Sequence, residues 1–323
     1  MNVFFTRLAR LAVCGCLGLA GCGGERPPAL LQGSTMGTTW SLQIADSIPE
    51  TTAQEIATVI RQDLQKLEAE LSHWQADSDL TRWNQNLSTE WKEVPAALAE
   101  TVALAQRISQ ETDEALDVTL APLVALWGFN QKERRTQLPT EPEIQAALAL
   151  VGWDKLEVET QPPRLKKHHP RVQINVAAVT EGYAMDLLNQ KLQDRGLKNF
   201  LLELGGEVLA RGNAPDGHPW RVGVQAPDGD KAESLETLAL RETCIATSGS
   251  YRHRFEKDGR TYSHLLDPRT GRPIEHRLVS VSVLHPQCAL ADGYATALMV
   301  LGPEKGRQVA QKLGLRVIWL EEP

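Results

Sequence analysis

Apolar residues recur at helical spacing in several parts of the chain. The clearest case is the segment from Thr51 to Leu71, where one apolar stripe predicts an amphipathic helix. The segment from Pro95 to Gln110 predicts a second helix, because proline is favoured in a first helical turn. A third apolar run stops at Gly128, a residue type that commonly ends helices. Further helices are predicted at 143–151, at 180–196, at 289–301 and between Pro303 and Leu315.

Shorter runs with an apolar or alternating pattern predict strands. They lie at 33–44, which begins as a turn, and at 172–176, 200–204, 208–212, 220–225, 278–284 and 315–320. Residues 131–142 and 161–170 are polar and contain prolines, so they are predicted to be exposed connections. Helices predominate in the first half of the chain and strands in the second. This distribution favours an α+β fold over a regularly wound βαβ sheet.

The first 22 residues differ from the rest of the chain. Arg7 and Arg10 precede a short apolar run, which ends in Leu19-Ala-Gly-Cys22. This order is typical of a secretory signal, and its last four residues resemble the bacterial lipoprotein box. We therefore expect a signal peptide at 1–21, a lipidated tether at 22–30 and a folded body at 31–323. The alternative is an ordinary signal peptide with a coincidental cysteine at position 22.

Lipidation of Cys22 has consequences for where the body lies. Several acyl chains would hold the protein at a membrane, since a single chain binds only marginally. The body is then expected outside the cytosol, in an oxidising compartment. Of its cysteines only Cys244 and Cys288 remain after cleavage and acylation. They could pair or simply pack as small apolar side chains, and the sequence leaves both readings open.

Charge excludes one class of partner. The chain has 323 residues and a net charge of −7, and it contains no long basic run. The densest basic patch is Lys166-Lys167-His168-His169, which we interpret as a solvated turn. Nucleic acid is therefore not an expected partner.

Polar residues are concentrated between Thr247 and Pro273. Hydroxyls, glycines, arginines and His264 leave this segment with little apolar content. Burying so many polar groups would be costly, so we predict two loops at the rim of a site. Arg269 and Arg272 are either anion ligands or surface charges. A lone histidine is usually structural, but phosphate-type donors around His264 favour a functional role.

A possible metal site follows near the C-terminus. Asp292 and Thr296 are four residues apart in a predicted helix, which places both side chains on one face. Carboxylate and hydroxyl oxygens suit a hard cation such as Mg²⁺. The pair alone is equally compatible with a helix-terminal charge and a packed hydroxyl.

Gly205-Gly206 would allow a close approach to a ligand or merely form a turn. Dinucleotide, P-loop and nucleophile-elbow fingerprints are absent from the sequence.

Seven motifs in order resemble the ApbE family, the FAD:protein FMN transferases, across nearly all of the body. They are Met36-Gly-Thr, Ala115-Leu-Asp-Val-Thr with Trp127-Gly-Phe, Glu181-Gly-Tyr-Ala-Met-Asp186, Leu204-Gly-Gly, Thr247-Ser-Gly-Ser-Tyr, His264-Leu-Leu-Asp-Pro-Arg-Thr-Gly271 and Ala291-Asp-Gly-Tyr-Ala-Thr296. The resemblance implies a single compact catalytic unit at 31–323. Its expected fold is α+β and T-fold-like, with a mixed, mainly antiparallel sheet and packed helices.

The resemblance also implies a reaction. Members use Mg²⁺ and FAD, and they transfer the FMN half to a threonine hydroxyl of a membrane redox protein with release of AMP. His264 matches the general base. The implied metal site comprises Asp292, Thr296, the carbonyl of Ala178 and the neighbouring Ala295. The residues that match nucleotide-lining positions are Met36, Trp74, Ala115, Leu116, Asp117, Asn175, Glu181 and Leu266.

Glu181 departs from the pattern of many members, which carry lysine there. A carboxylate cannot be a cationic phosphate ligand, so it is expected to hydrogen-bond the nucleotide or to order a metal-bound water. The family implies acceptor subunits of Nqr-type or Rnf-type complexes and a periplasmic site at the inner membrane. Two alternatives remain open. One is a Mg²⁺-dependent FAD pyrophosphatase that yields FMN and AMP, and the other is a non-catalytic periplasmic FAD-binding lipoprotein.

Overall fold

The described part of the chain forms seven helices and sixteen strands. The structure, a computed structural model, describes residues 28–129, 137–225, 234–250, 254–257 and 259–322. The helices are α1 (Glu50–Leu71), α2 (Asp79–Gln85), α3 (Ala96–Glu111), α4 (Ala121–Trp127), α5 (Glu141–Leu148), α6 (Ala177–Asp194) and α7 (Cys288–Leu313). The strands are β1 (Ala29–Thr35), β2 (Thr38–Ile44), β3 (Lys92–Glu93), β4 (Leu156–Thr160), β5 (Pro163–Lys167), β6 (Phe200–Leu204), β7 (Glu207–Arg211), β8 (Trp220–Gln225), β9 (Ser234–Leu240), β10 (Thr243–Gly249), β11 (Arg254–Lys257), β12 (Arg260–Ser263), β13 (Leu266–Asp267), β14 (Arg272–Pro273), β15 (Leu278–His285) and β16 (Arg316–Glu321).

A single large sheet organises the fold. Within the described residues it has seven strands in the order β1-β2-β6-β7-β10-β15-β16, and every neighbouring pair is antiparallel. Side chains of α1, α3, α6 and α7 join those of the sheet in one buried apolar cluster. The predicted α+β class with a mainly antiparallel sheet is thereby confirmed.

The helix predictions agree closely with the structure. The apolar stripe of α1 is buried at Ile56, Ile60 and Leu64, as an amphipathic helix requires. Within α7, Gly302 has φ 77° and ψ 179°, so the helix breaks where Gly302-Pro303 predicted. None of the helices in the described ranges is both long and apolar enough to span a bilayer.

The prediction of an exposed connection at 161–170 is wrong. Residues Pro163–Lys167 form β5, which pairs with both β3 and β4. Leu165 and Lys167 point to the same side of this strand, because successive side chains alternate between the two faces. Lys167 is only 2% exposed, so it does not belong to a solvated turn. Every second residue of this strand faces inwards, and the strand was not predicted because one of the inward residues is a charged lysine.

The predicted strand at 172–176 is also wrong in one respect. Val172, Ile174 and Val176 are buried alternately, as in a strand, but no strand pairs with them in the described residues. The hydrogen bonds of this extended segment are made with side chains and with the backbone of the short 3₁₀ helix that starts at Val118, rather than with a strand. Asn84 binds the peptide groups of Ile174, and the Asn175 N–H donates to the Val118 carbonyl at 2.7 Å.

The N-terminal part of the body is a hairpin rather than a turn followed by one strand. β1 and β2 are joined at Met36 and Gly37, both with positive φ. Ala29 and Leu30, the last residues of the expected tether, are the first two residues of β1. Residues 1–21, Cys22 and the rest of the tether up to residue 27 lie outside the described residues.

Candidate active site

One cavity of about 1300 Å³ collects nearly all the residues predicted to form a site. It lies where the turn after β1, the starts of α6 and α7 and the loop after β12 meet. The predicted residues that line it are Met36, Trp74, Ala115, Leu116, Asp117, Asn175, Ala178, Glu181, His264, Leu266, Asp292 and Thr296. Ala295 is buried and is not among the lining residues, and Cys22 is outside the described part of the chain.

Asp292 and Thr296 reach the cavity from successive turns of α7. The Gly182 N–H of α6 donates to Asp292 Oδ2 at 3.2 Å, which fixes the orientation of the carboxyl group. Only a glycine allows this approach, since a Cβ at position 182 would lie 2.4 Å from the Cys288 carbonyl oxygen. Burial first, and then the charge of Glu181, raises the pKa of Asp292 well above its usual value.

Glu207 is a functional-site residue that sequence reasoning missed. It lines the cavity beside Asp292 and is 5% exposed, yet its Oε2 finds no hydrogen-bond partner among the described residues. Burial, followed by the charges of Asp292 and Glu181, raises the pKa of Glu207 well above its usual value. The only signal in the sequence is its position directly after Gly205-Gly206.

Gly205 allows a third carboxyl group, that of Glu181, to approach the part of the cavity lined by Asp292 and Glu207. Its φ is +65°, and a Cβ there would lie 2.6 Å from Glu181 Oε2. The first glycine of the pair therefore permits both an αL turn and the close approach of Glu181 to the backbone. Gly205 and Gly206 both have positive φ and join β6 to β7, so the structure supports the turn, and the close approach that it shows is to Glu181 and not to a ligand.

The oxygen donors at this end of the cavity suit a hard divalent cation. Asp292 offers a carboxylate, Thr296 a hydroxyl and Glu207 a buried oxygen without a partner. No group of three or more His, Cys, Asp or Glu side chains in the described ranges is spaced to hold a metal by itself. A cation here would therefore also need non-carboxylate ligands such as the Thr296 hydroxyl and the Ala178 carbonyl.

The Ala115-Leu116-Asp117 turn is buried and is held by side-chain hydrogen bonds. Asp117 Oδ1 accepts hydrogen bonds from the Thr119 N–H at 2.8 Å and from the Thr119 hydroxyl at 2.6 Å. These bonds begin a short 3₁₀ helix that leads into α4. Burial raises the pKa of Asp117 despite them. The turn presents a fixed wall to the cavity.

Trp74 offers a large apolar surface at the cavity edge. Its side chain is 59% exposed and lies beside His73, with the ring centroids 4.8 Å apart. The Ser72 hydroxyl accepts from the Trp74 N–H at 3.2 Å and so holds the loop. Burial lowers the pKa of His73, which keeps its imidazole neutral at pH 7. No feature of the sequence pattern pointed to His73, although it also lines the cavity.

The polar segment from Thr247 to Pro273 is only partly a pair of loops. Thr247–Gly249 is the end of the central strand β10, which corrects the prediction of a rim loop. The Thr247 hydroxyl lies 2.7 Å from the Ser282 hydroxyl, so a polar residue is accommodated within the sheet. His264 follows β12 and does lie in a loop lining the cavity.

The remaining polar candidates have structural partners. Arg269 pairs with Asp267 at 2.7 Å and Arg272 pairs with Glu141, and neither arginine lines the cavity. Their interpretation as surface charges is therefore supported over that as anion ligands. Cys244 and Cys288 are free and buried.

Comparisons with known proteins identify the family. The model of the ApbE family matches residues 36–319, a range containing every predicted site residue except Cys22. The chain is 38% identical over 328 residues to the FAD:protein FMN transferase of Escherichia coli strain K12, covering 98% of this chain and 92% of that protein. The solved structure of the flavin transferase ApbE from Vibrio cholerae has a TM-score of 0.81 and 37% identity, covering 92% of this chain and 94% of that one. The apo Pseudomonas stutzeri flavinyl transferase ApbE has a TM-score of 0.83 and 35% identity, covering 92% of each chain.

Proposed function

The chain belongs to the ApbE family, and we propose that it is a FAD:protein FMN transferase that attaches the FMN half of FAD to an acceptor protein. One observation carries the proposal. A single cavity brings His264, the Asp292–Thr296 pair and the predicted nucleotide-lining residues together. The acceptor group is a threonine hydroxyl, and the product is a phosphoester.

The reaction breaks the phosphoanhydride bond of FAD and forms a phosphoester bond to the acceptor. The acceptor oxygen forms a bond to the phosphorus on the FMN side of the diphosphate, while the bond from that phosphorus to the bridging oxygen breaks. AMP leaves with the electron pair of the broken bond. Catalysis of this kind consists mainly of alignment and charge neutralisation, which a cavity with fixed walls can supply.

His264 receives the proton of the attacking hydroxyl. Its place in a loop at the cavity wall gives its ring access to an acceptor segment entering from solvent. A neutral imidazole near pH 7 is a suitable general base. His73 is a less suitable base because it lies beside Trp74, where the proposed flavin ring would cover it.

Asp292, Thr296 and the Ala178 carbonyl would hold the divalent cation, with Ala295 packed behind them. When bound, Mg²⁺ would offset the negative charge of the diphosphate. The Gly182 N–H keeps the Asp292 carboxyl group turned towards this position. The carboxyl groups of Glu181 and Glu207 line the same end of the cavity, and each would favour a cation there when ionised.

The nucleotide would lie along the cavity walls formed by the remaining predicted residues. Trp74 provides an aromatic face for the isoalloxazine ring. Met36, Leu266 and the Ala115–Asp117 turn enclose the apolar and ribityl parts. Glu181 has a carboxyl group where many family members have lysine, so it does not bind phosphate as a cation would. It hydrogen-bonds the nucleotide or orders a metal-bound water.

The cellular setting of the proposal depends on the N-terminus. A lipid on Cys22 would anchor the protein on the periplasmic side of the inner membrane. Acceptors would then be periplasm-facing subunits of membrane redox complexes, of the Nqr or Rnf type. The sequence pattern of residues 1–22 and the family resemblance support this part of the proposal.

One assay separates transferase, hydrolase and carrier. The purified protein is incubated with FAD, Mg²⁺ and a candidate acceptor domain, and the products are followed by mass spectrometry and chromatography. Covalent flavin on the acceptor supports the proposal. Free FMN and AMP without labelled acceptor indicate a pyrophosphatase, and unchanged FAD indicates a carrier. The His264→Ala variant serves as the control, since it should bind FAD and leave the acceptor unlabelled.

A further inference from the structure

The extended segment 172–176 leads directly into the proposed nucleotide and metal site. Asn175 and Ala178 line the cavity, and α6 begins between them at Ala177. A segment with unpaired backbone groups would not hold these residues at fixed positions. The groups that bind its backbone therefore decide where Asn175 and Ala178 lie.

Asn84 makes the central contact with this segment. Its Oδ1 accepts from the Ile174 N–H at 2.7 Å, and its Nδ2 donates to the Ile174 carbonyl at 2.8 Å. One side chain thus replaces the neighbouring strand at this peptide. Asn84 does not line the cavity, so it acts on the site only through Ile174.

Lys167 supports the same segment two residues earlier. Its Nζ donates to the Val172 carbonyl at 3.0 Å and to the Trp83 carbonyl at 3.4 Å. The ammonium group also lies 4.3 Å from the centroid of the Trp83 ring. No carboxylate within the described ranges pairs with it. Burial lowers the pKa of Lys167 to about 8, so the group is still mainly charged at pH 7.

The contacts of Asn84 and Lys167 lie only a few residues along the chain from the site. The Asn175 N–H donates to the Val118 carbonyl at 2.7 Å, next to the Ala115–Asp117 turn. Asn175 Oδ1 accepts from the Ala177 N–H at 2.9 Å and so begins α6. Three residues separate Ile174 from Ala178, and each of them is hydrogen-bonded or helical.

We infer that Asn84, with Lys167, is a positioning residue for the reaction: the pair holds segment 172–176 so that Asn175 and Ala178 face FAD and its cation. The inference rests on the proposed function and extends it to residues outside the cavity. Neither side chain touches the substrate. Loss of either side chain should reduce the free energy of FAD binding more than it reduces the free energy of unfolding.

The test is the equilibrium affinity for FAD, measured by flavin fluorescence with Mg²⁺ present and no acceptor. Asn84→Ala should raise the Kd by about tenfold, the equivalent of one to two lost hydrogen bonds. Asn84→Asp keeps the acceptor for the Ile174 N–H and should give an intermediate value. Each variant is measured well below its own Tm.

Asn199 provides a matched control. Its Nδ2 donates to Asp46 Oδ1 at 2.7 Å and its Oδ1 accepts from the Asn213 N–H at 2.8 Å, remote from the cavity. Asn199→Ala should lower the Tm and leave the Kd for FAD unchanged. Equal Kd values for Asn84→Ala and the unaltered protein, or an equal rise in Asn199→Ala, would overturn the inference.

Lys167→Met keeps the test decisive if Asn84→Ala does not fold. This substitution retains the buried stem and removes the donor to Val172, so it should also raise the Kd for FAD, by about threefold to tenfold. An unchanged Kd in Lys167→Met would overturn the inference. Failure of the unaltered protein to bind FAD would instead remove the proposed function itself.

Discussion

The Gly182 N–H donates a hydrogen bond to Asp292 Oδ2 at 3.2 Å, and this bond ties α6 to α7 at the proposed cation site. The two helices approach so closely here that no Cβ fits at position 182. The nearest atoms would be the Cys288 carbonyl oxygen at 2.4 Å and the Ala289 Cα at 2.7 Å. Both belong to the backbone of α7, so a larger residue must displace the helix that carries Asp292.

Gly182→Ala should therefore harm both the fold and the site. We expect the free energy of unfolding to fall by about 1–3 kcal/mol, because overpacking against backbone cannot be relieved by a side-chain rotation. Denaturant unfolding measures this loss, and flavin transfer should fall with it. Gly293→Ala is the comparison: the atoms nearest its Cβ would be Ile108 Cδ1 at 2.4 Å and Val179 Cγ1 at 3.0 Å, and because side chains can shift more readily than backbone, it should be the milder change. A more stable Gly182→Ala protein would contradict the close packing.

Removal of divalent cations should make the stability depend on pH. Burial and the charges of neighbouring carboxyl groups raise the pKa values of Glu207 and Asp292, so the folded protein holds protons that the unfolded chain has released. The free energy of unfolding then falls as the pH rises from the ordinary carboxyl range through the raised values. Thermal unfolding from pH 4.5 to 8 in EDTA should show this fall, and Mg²⁺ should reduce it. A Glu207→Gln protein with the same pH dependence would exclude Glu207 as a source.

Lys167 should produce the opposite trend at higher pH. Its pKa is lowered by burial from 10.5 to about 8, so between these values the unfolded chain binds a proton that the folded protein lacks. The free energy of unfolding should therefore rise with pH in this window, by about 3 kcal/mol at most. Chemical denaturation between pH 7.5 and 10 measures the rise. Tyrosines also titrate at the upper end of this range, so the informative quantity is the difference in this rise between the unaltered protein and Lys167→Met. If the two proteins showed the same rise, the burial of a charged Lys167 would be contradicted.

Trp74 should contribute affinity rather than stability. Its side chain is 59% exposed, so Trp74→Ala should change the Tm little but raise the Kd for FAD by about tenfold through loss of stacking. Leu87 is 68% exposed and does not line the cavity, which makes Leu87→Ala the control for loss of an exposed apolar side chain. Trp74→Phe should restore much of the affinity. The stacking role would be excluded if Trp74→Ala and Leu87→Ala bound FAD equally well.

Apolar periodicity was sufficient to predict the main elements. β6 has the predicted bounds, and α7 breaks at the glycine that the sequence indicates. Both depend on local properties: a short apolar run bounded by polar residues, and a Gly-Pro pair that cannot continue a helix. Asp292 and Thr296 also follow from local spacing, and the cavity confirms that they share a face of α7.

Long-range contacts account for what the sequence did not reveal. Lys167 looked exposed because a charged side chain is usually exposed when it has no buried partner. Its partners are the Trp83 carbonyl of α2, which is 84 residues away in sequence, and the Val172 carbonyl, whose position depends on how segment 172–176 folds. Segment 172–176 looked like a strand because it is extended and alternately buried, although Asn84 binds it instead of a strand. Glu207 escaped notice because its significance depends on Asp292 and Glu181, which only the folded chain brings near.

The most direct test of the account is the position of the cation in a crystal of the protein with FAD and Mn²⁺, located by anomalous diffraction. We predict one peak about 2.1 Å from an Asp292 carboxylate oxygen and from the Thr296 hydroxyl, in contact with the FAD diphosphate and on the side of the cavity that His264 lines. A peak elsewhere on the molecule, or FAD bound with its diphosphate away from Asp292, would contradict the account.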